Sequence, residues 1–187
     1  ERLPKKNMRQ FCGRPLYHWI MDSLNKSCVI EEIIINTDSN EIANDARKHF
    51  DVTIHMRPEY LLNIKSNEPY QIMKYDIEKI KGKHFIQTHS TTPLIKPDTI
   101  SNAVRLYYEN IRKHDSLFSV TPLKKRLYDN KGMGLNHNPE KLIMTQNLPT
   151  IYEENSCIYI FSRSSFGGNK NRLGKSPYFF EMDKYES

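Results

Sequence analysis

The sequence predicts an α/β fold, in which helices cover both faces of a doubly wound, mostly parallel sheet. The first observation behind this prediction is alternation, because short apolar runs and helical-period segments follow one another over about 120 residues, as βαβ units require. The second is length, since 187 residues suffice to bury one core without disulfides or metal ions. No long linker or internal repeat divides the chain. We therefore expect a single domain, 1–187, with a small β-hairpin extension over 122–150.

In the first third of the chain, a polar opening loop is followed by a helix. Pro15 fits the first helical position, and the apolar residues after it recur at helical spacing. A short apolar run at 33–35 predicts a buried strand. Asp38, with a glutamate three positions later, is typical of a helix start. A second strand over 52–56 should end at Pro58, because proline disfavours continued pairing.

The rest of the chain continues the alternation. Gly82 fits the end of a third helix, and Pro97 begins a fourth. Residues 167–177 contain three glycines and a proline and are predicted to form a loop. The remaining predicted elements are strands over 84–88, 117–120, 157–161 and 178–182 and a hairpin over 126–136.

The charge balance is basic, with 28 Lys plus Arg against 22 Asp plus Glu and a formal net charge of +6. A basic surface attracts nucleic acid, membranes or small polyanions. Abundant lysine, asparagine and isoleucine fit codon bias in an AT-rich genome equally well, and this explanation stays open. The cations are spread over three short clusters instead of one stripe, so we expect no nucleic-acid partner.

Hydropathy and cysteine content set two further expectations. No apolar run approaches the roughly 20 residues that cross a bilayer, so we expect no membrane partner. The three cysteines, Cys12, Cys28 and Cys157, form no CxxC pair and no zinc spacing. This scattered usage favours a reduced, cytoplasmic protein.

Parallel α/β sheets bind ligands at the carboxyl ends of their strands. This rule selects the loops 1–9, 37–39, 57–68, 88–93 and 121–126. A Walker A motif and a G-x-G-x-x-G motif are both absent, and there are only seven glycines. Phosphate binding would therefore depend on lysine, arginine and helix N-termini.

Five short sequence motifs occur in a fixed order along the chain. They are RLPKKN running into FCGRPL, then INTDSNEIA, MRPEYL, THSTTPL and LPTIYEENSCIYIF. Together they resemble the signature of the acylneuraminate cytidylyltransferase family, the CMP-sialic acid synthetases and their relatives. Each motif is weak alone, but their order spans nearly the whole chain. The resemblance implies a Rossmann-like nucleotidyltransferase fold.

The same resemblance implies a reaction. The anomeric hydroxyl of an acidic nine-carbon 2-keto sugar would attack the α-phosphorus of CTP, giving a CMP-sugar and pyrophosphate. Cations beside the phosphates would lower the barrier. Mg²⁺ is the implied cofactor, and a homodimer is the implied assembly, with the 122–150 extension reaching towards the partner.

Matching motif positions imply roles for individual residues. Lys6 and Arg2 would act on the triphosphate as the catalytic cations, and the substrate-side position His89 stands where the family usually has glutamine. Several assignments have structural alternatives: Asp38 could cap a helix, Arg57 could pair with Glu59, and Asn155 could hold a loop. The implied nucleotide-binding residues are Asn7, Arg57 and Asp38, and the implied sugar-binding residues are His89, Thr91, Thr92, Tyr152 and Asn155.

Departures from the family pattern fall in the loops that would face substrate. Glu1, Ser90 and Ser156 stand where lysine, proline and glycine are usual, and they make the identity of the sugar uncertain. The family's first strand would precede Glu1 and its D-x-D metal ligands would follow Ser187, so we expect this chain to lack both and leave its metal ligands unassigned. The alternatives are a catalytically silent nucleotide-binding module, a cytidylyltransferase for 3-deoxy-manno-octulosonate, and a basic nucleic-acid-binding domain.

Overall fold

The fold is that of a computed structural model, which describes residues 5–62, 68–141 and 143–187. It has eight strands and five α-helices within those ranges. In chain order they are β1 Gln10–Phe11, β2 Arg14–Pro15, α1 Leu16–Lys26, β3 Ile34–Thr37, α2 Asn40–His49, β4 Thr53–Met56, α3 Glu68–Lys79, β5 His84–Thr88, α4 Pro97–Asn110, β6 Ser116–Leu123, β7 Ile151–Ser162, α5 Arg163–Asn169 and β8 Pro177–Glu181.

Apart from the β1–β2 hairpin, the strands form two separate sheets, which we call units. In the first, β3 and β4 pair in parallel, and α2 connects them. The second has the order β5-β7-β6-β8, with β6 and β8 parallel. Within this unit β7 runs opposite to the other three strands, because it follows β6 without an intervening crossover helix. The predicted α/β class is confirmed, and the antiparallel pairings are those of β7 and of the β1–β2 hairpin.

The main core lies between the four-stranded unit and helices α1 and α4. Ile20 and Leu24 of α1 pack there with Ile100 of α4 and with Leu117 and Ile158 of the sheet. The adjacent side of α1 belongs to a second apolar cluster with α2, β3 and β4, formed by Tyr17, Met21, Ala46 and their neighbours. Helix α1 therefore joins the two units by burying a different side against each.

A cleft of about 1060 Å³ separates β3 from β5. In the described part of the chain, β3 pairs only with β4 and β5 pairs only with β7, so one edge of each strand faces this cleft. Apolar side chains such as Ile34 and Ile86 line the cleft between the two strands, and α1 contributes Ile20 and Met21 to its wall. Polar residues at the carboxyl ends of the strands line one end of the cleft, which we call its polar end.

Several local details differ from the sequence predictions. The opening segment contains the β1–β2 hairpin and a short 3-10 helix at Lys6–Met8, where a loop was expected. Ser39, not Asp38, caps α2, since its side chain accepts a hydrogen bond from the Ile42 amide. Part of the predicted 167–177 loop is helical: Ser162 caps α5 by accepting from the Ser165 amide, and the two glycines at its end do not prevent the helix.

The extension between β6 and β7 contains little regular structure. Tyr128 and Gly134 form a single antiparallel bridge, and the Asp129 carboxylate accepts from the Lys131 and Met133 amides inside the turn. The hairpin predicted over 126–136 is therefore present as a single bridge with its turn. No helix in the described ranges is long and apolar enough to cross a membrane.

Candidate functional site

The polar end of the cleft brings together residues from four separate segments. Thr37 ends β3, Arg57 follows β4, and His89 and Ser90 follow β5. Asn7, from the opening 3-10 helix, completes this end of the cleft. Strands β3 and β4 are held together here by the bond from the Arg57 amide to the Thr37 carbonyl, 2.8 Å long. The position agrees with the rule that α/β sheets bind ligands at strand ends.

The opening segment is fixed to the loop after β5. The Ser90 hydroxyl donates to the Asn7 side-chain oxygen at 2.9 Å. Lys5 has a left-handed backbone, with φ of 51°, and its ammonium pairs with Glu41 at 2.9 Å. The side chain of Lys6 is exposed and lies close enough to His89 to influence its charge. Arg2, the other predicted catalytic cation, lies outside the described residues.

His89 is half-buried and lies near two cations, Arg172 and Lys6. Its ring meets the Tyr159 ring edge-on, with 6.4 Å between the centroids. Burial lowers the pKa of His89 below its ordinary value, and the positive charges of Arg172 and Lys6 lower it further. The imidazole is therefore neutral at neutral pH, while the surrounding positive potential favours an anionic ligand.

Arg172 is a residue of this site that the sequence reasoning missed. One of its nitrogens donates to the Gln87 side-chain oxygen at 2.8 Å, and its guanidinium lies 3.5 Å from the centre of the Tyr159 ring. Glu154 lies 3.9 Å away, a weak ion pair. The sequence placed Arg172 in one of three basic clusters, but nothing there distinguished it from Lys170 or Lys175.

Arg57 is held by a polar network in the wall of the cleft. Its Nε donates to the Asn36 side-chain oxygen at 2.8 Å, so its partner among the described residues is Asn36, not Glu59. The Asn36 amide donates in turn to Asp76 at 2.8 Å, and His55 Nδ1 lies 2.7 Å from the same carboxylate oxygen. This chain of contacts fixes the guanidinium at the end of β4.

The remaining predicted residues near the cleft differ in their roles. Asp38 is exposed directly after Thr37, with its capping function taken by Ser39. The Thr92 hydroxyl donates to the His89 carbonyl at 2.6 Å, which closes the turn that carries His89. Thr91 is exposed on that turn.

Tyr152 and Asn155 lie on the part of β7 that extends beyond its pairing with β5. Tyr152 donates its hydroxyl to Glu181 at 3.0 Å, a contact that raises the tyrosine's pKa. The Asn155 side-chain oxygen accepts from Ser119 at 2.6 Å, and its amide donates to Thr121. Asn155 thereby braces the irregular pairing of β6 and β7 between Phe118 and Val120. The structure does not bring these two residues into the cleft with Asn7 and Arg57.

Divalent-metal ligands are sparse at this end of the cleft. Mg²⁺ usually takes one or two carboxylates together with phosphate oxygens. Asp38 is the exposed carboxylate at the end of β3. Asp76, which lines the cleft, is already in contact with Asn36 and His55. Glu154 is engaged by the Tyr159 hydroxyl. Within the described ranges, the grouped His, Cys, Asp and Glu ligands lie elsewhere, at His18, Asp45 and His49.

Comparison with known proteins gives consistent matches over the whole chain. The model of a family described as "Cytidylyltransferase" matches residues 1–186. CMP-N,N'-diacetyllegionaminic acid synthase of Legionella pneumophila is 29% identical over 91% of this chain and 77% of its own length. Pseudaminic acid cytidylyltransferase of Campylobacter jejuni is 24% identical over 85% of this chain and 72% of its own length.

Among solved structures, a CMP:2-keto-3-deoxy-manno-octonic acid synthetase complexed with CTP superposes with a TM-score of 0.65. The alignment covers 96% of this chain and 84% of that chain, at 12% sequence identity. At this identity the likeness concerns the fold alone.

Proposed function

This chain belongs to the cytidylyltransferase family, and we propose that it transfers CMP from CTP to an acidic nine-carbon 2-keto sugar of the sialic-acid type, releasing pyrophosphate. The observation that carries the proposal is the polar end of the cleft. There the Ser90 hydroxyl donates to Asn7, and the charges of Lys6 and Arg172 act on His89. Relatives named for legionaminic and pseudaminic acid support an acidic nine-carbon acceptor.

For the nucleotide, we assign the residues of the opening segment and of β3 and β4. Asn7 would hydrogen-bond the cytosine or its ribose, and Lys6, together with Arg2, would neutralise the triphosphate. Arg57, held by Asn36, is a fixed cation at the adjoining strand end. A guanidinium fixed before the substrate arrives is more effective on developing phosphate charge than a mobile one, because it needs no reorganisation.

For the sugar, we assign the loop after β5 and the neighbouring face of β7. Arg172 is the best placed cation for the sugar carboxylate, because its planar guanidinium matches a carboxylate with two donors. His89, Thr91 and Thr92 would contact hydroxyl or acyl groups from the adjacent turn. Tyr152 and Asn155 remain assigned to the sugar side by their motif, at the far end of β7.

The proposed reaction is a direct displacement at phosphorus. The anomeric oxygen of the sugar forms a bond to the α-phosphorus, the bond from that phosphorus to the bridging oxygen breaks, and pyrophosphate leaves. The hydroxyl proton is released to solvent. Lys6, Arg2 and Arg57 would stabilise the charge that builds up on the phosphoryl oxygens and the leaving group.

Magnesium remains a proposal that the described residues fit only in part. Asp38 would supply one carboxylate to an ion that the triphosphate holds through its own oxygens. Such an ion supplies additional neutralisation of the phosphates. Removing divalent ions with EDTA should abolish pyrophosphate release, and adding Mg²⁺ should restore it.

The deciding experiment is a pyrophosphate-release assay with CTP and a panel of 2-keto sugars. The panel should contain legionaminic, pseudaminic and N-acetylneuraminic acids, and the eight-carbon 3-deoxy-manno-octulosonate. Release with a nine-carbon sugar supports the proposal. Release with the eight-carbon sugar alone favours that substrate, and CTP binding without release from any sugar favours a silent module.

A homodimer is the assembly we propose, with the extension as its contact surface. Large apolar side chains are exposed along this segment, which is typical of an interaction surface. They are Leu127, Tyr128, Met133, Leu135, Ile143 and Met144. Sedimentation equilibrium should show a dimer that Met133→Asp and Leu135→Asp together convert to monomer. A monomer at all concentrations would exclude this assembly.

A further inference from the structure

Two histidines and an aspartate converge between α1 and α2, away from the polar end of the cleft. His18 lies on α1, while Asp45 and His49 lie one helical turn apart on α2. One ligand atom from each of the three residues lies within 4.8 Å of the other two. None of the proposed contacts to CTP or sugar involves these residues.

The three side chains already adopt close mutual positions. His18 Nε2 lies 2.6 Å from Asp45 Oδ2. His49 Nδ1 donates to the Asp45 carbonyl oxygen at 2.8 Å and lies 3.4 Å from the other carboxylate oxygen, so an ion bound at this nitrogen would replace its proton. Ligand atoms around a tetrahedral zinc ion are about 3.3 Å apart, given metal–ligand bonds of about 2.0 Å. An ion would therefore need His18 and Asp45 to separate by less than about 1 Å, and a pair of ligand atoms at the 4.8 Å limit would have to approach by about 1.5 Å.

The surroundings of the cluster resemble the outer shell that supports metal ligands. The Tyr17 hydroxyl donates to Asp45 and so orients the carboxylate. The rings of Tyr17 and Phe50 lie 4.6 and 4.9 Å from the His18 ring and enclose it in an apolar wall. His49 stands in the last turn of α2, where the helix dipole favours a cation.

We propose that His18, Asp45 and His49 bind a divalent transition-metal ion, with Zn²⁺ as the preferred ion. Two imidazoles and one carboxylate suit zinc, while Mg²⁺ prefers oxygen ligands alone. Three protein ligands leave one position of a tetrahedral ion open to water, and the partial exposure of His49 gives solvent access to it.

A metal ion at this place would connect the two units of the fold. His18 belongs to α1, which packs against α4 and the four-stranded unit, whereas Asp45 and His49 belong to the helix of the β3–β4 unit. Binding to the folded chain stabilises it by RT ln(1 + L/Kd), where L is the free ligand concentration, so the stabilisation grows with the logarithm of that concentration. The expected effect is a higher melting temperature without a new catalytic group.

The test is a titration of the purified, chelator-treated protein with Zn²⁺ against a chromophoric chelator, together with thermal melts. We expect one equivalent of tightly bound Zn²⁺ and a raised Tm. His49→Ala removes a half-exposed side chain and should weaken binding at least about tenfold and abolish the Tm shift. His18→Ala should do the same.

Two control variants separate this site from other zinc ligands. His114→Ala alters a histidine beside Tyr178, outside the cluster, and should bind Zn²⁺ as the unaltered protein does. Cys12→Ser with Cys28→Ser removes the two exposed thiols and should also leave binding intact. The proposal is overturned if the unaltered protein binds no Zn²⁺, or if folded His49→Ala binds it with unchanged affinity.

Discussion

The β3–β4 unit and the four-stranded unit differ in how completely they are packed. Leu117 and Ile158 in the four-stranded unit are 0% exposed, and β7 is paired on both sides. In the other unit, Ile34 and Ile35 are only half-buried, and the edge of β3 away from β4 borders the cleft. The two units are connected mainly through α1.

This difference in packing suggests that one unit contributes most of the stability and the other most of the nucleotide contacts. Completely buried apolar residues contribute most to the free energy of unfolding, so the four-stranded unit should be the more stable one. The proposed nucleotide contacts come from the opening segment and from the strand ends of the β3–β4 unit. Ligand binding should therefore stabilise the less well packed side of the cleft.

The largest expected effect concerns catalysis. Lys6→Ala removes an exposed cation at the polar end of the cleft and should reduce kcat/KM at least about 100-fold, the usual loss when a charge-stabilising group is removed. The Tm of this variant should stay unchanged, because the Lys6 side chain is exposed to solvent. Lys175→Ala is the matched control, an exposed lysine elsewhere, and should keep full activity. Normal turnover by folded Lys6→Ala would contradict the phosphate assignment.

The packing difference itself can be tested by a pair of isoleucine substitutions. Ile158→Ala should lower the free energy of unfolding by about 3 kcal/mol, because it leaves a cavity in a fully buried layer. Ile34→Ala should cost about 1 kcal/mol, since its side chain already borders the cleft. Urea unfolding measures both. Equal losses would show that the two units are packed alike.

The sugar end of the cleft should respond to Arg172. Arg172→Lys keeps the charge but loses the planar pair of donors, so KM for the sugar should rise about tenfold while KM for CTP stays the same. Steady-state kinetics with each substrate varied in turn makes this measurement. An equal rise in both KM values would place Arg172 at the nucleotide instead.

The smallest expected effect is the pH dependence caused by His89. Its pKa in the folded chain lies below the ordinary value of 6.5, so the folded state binds fewer protons than the unfolded state as pH falls. The stabilising contribution is complete above pH 6.5 and is lost as the pH drops through the folded pKa. Thermal melts from pH 7.5 to 5 should show a steeper loss for the unaltered protein than for His89→Gln. Parallel curves would argue against the burial of a neutral His89.

Local sequence signals predicted most of the elements but not their ends. Apolar periodicity located α2 and β4, yet the capping residue was one position later than expected, at Ser39. Helix α5 was not predicted, because its two glycines have low helix propensity and favour a loop when the sequence is considered locally. Strand β7 is much longer than the predicted 157–161, because its outer half is held by pairing with β6.

The sequence by itself determined the α/β class, the loops that carry polar motifs and the family resemblance, because each of these is written in local order along the chain. Tertiary structure decided which distant residues meet. Arg172 reaches Gln87 and Tyr159 only because the loop after α5 returns to β5 and β7. His18 meets Asp45 and His49 only because α1 packs against α2. Such contacts depend on long-range packing, which leaves no periodic signal in a single sequence.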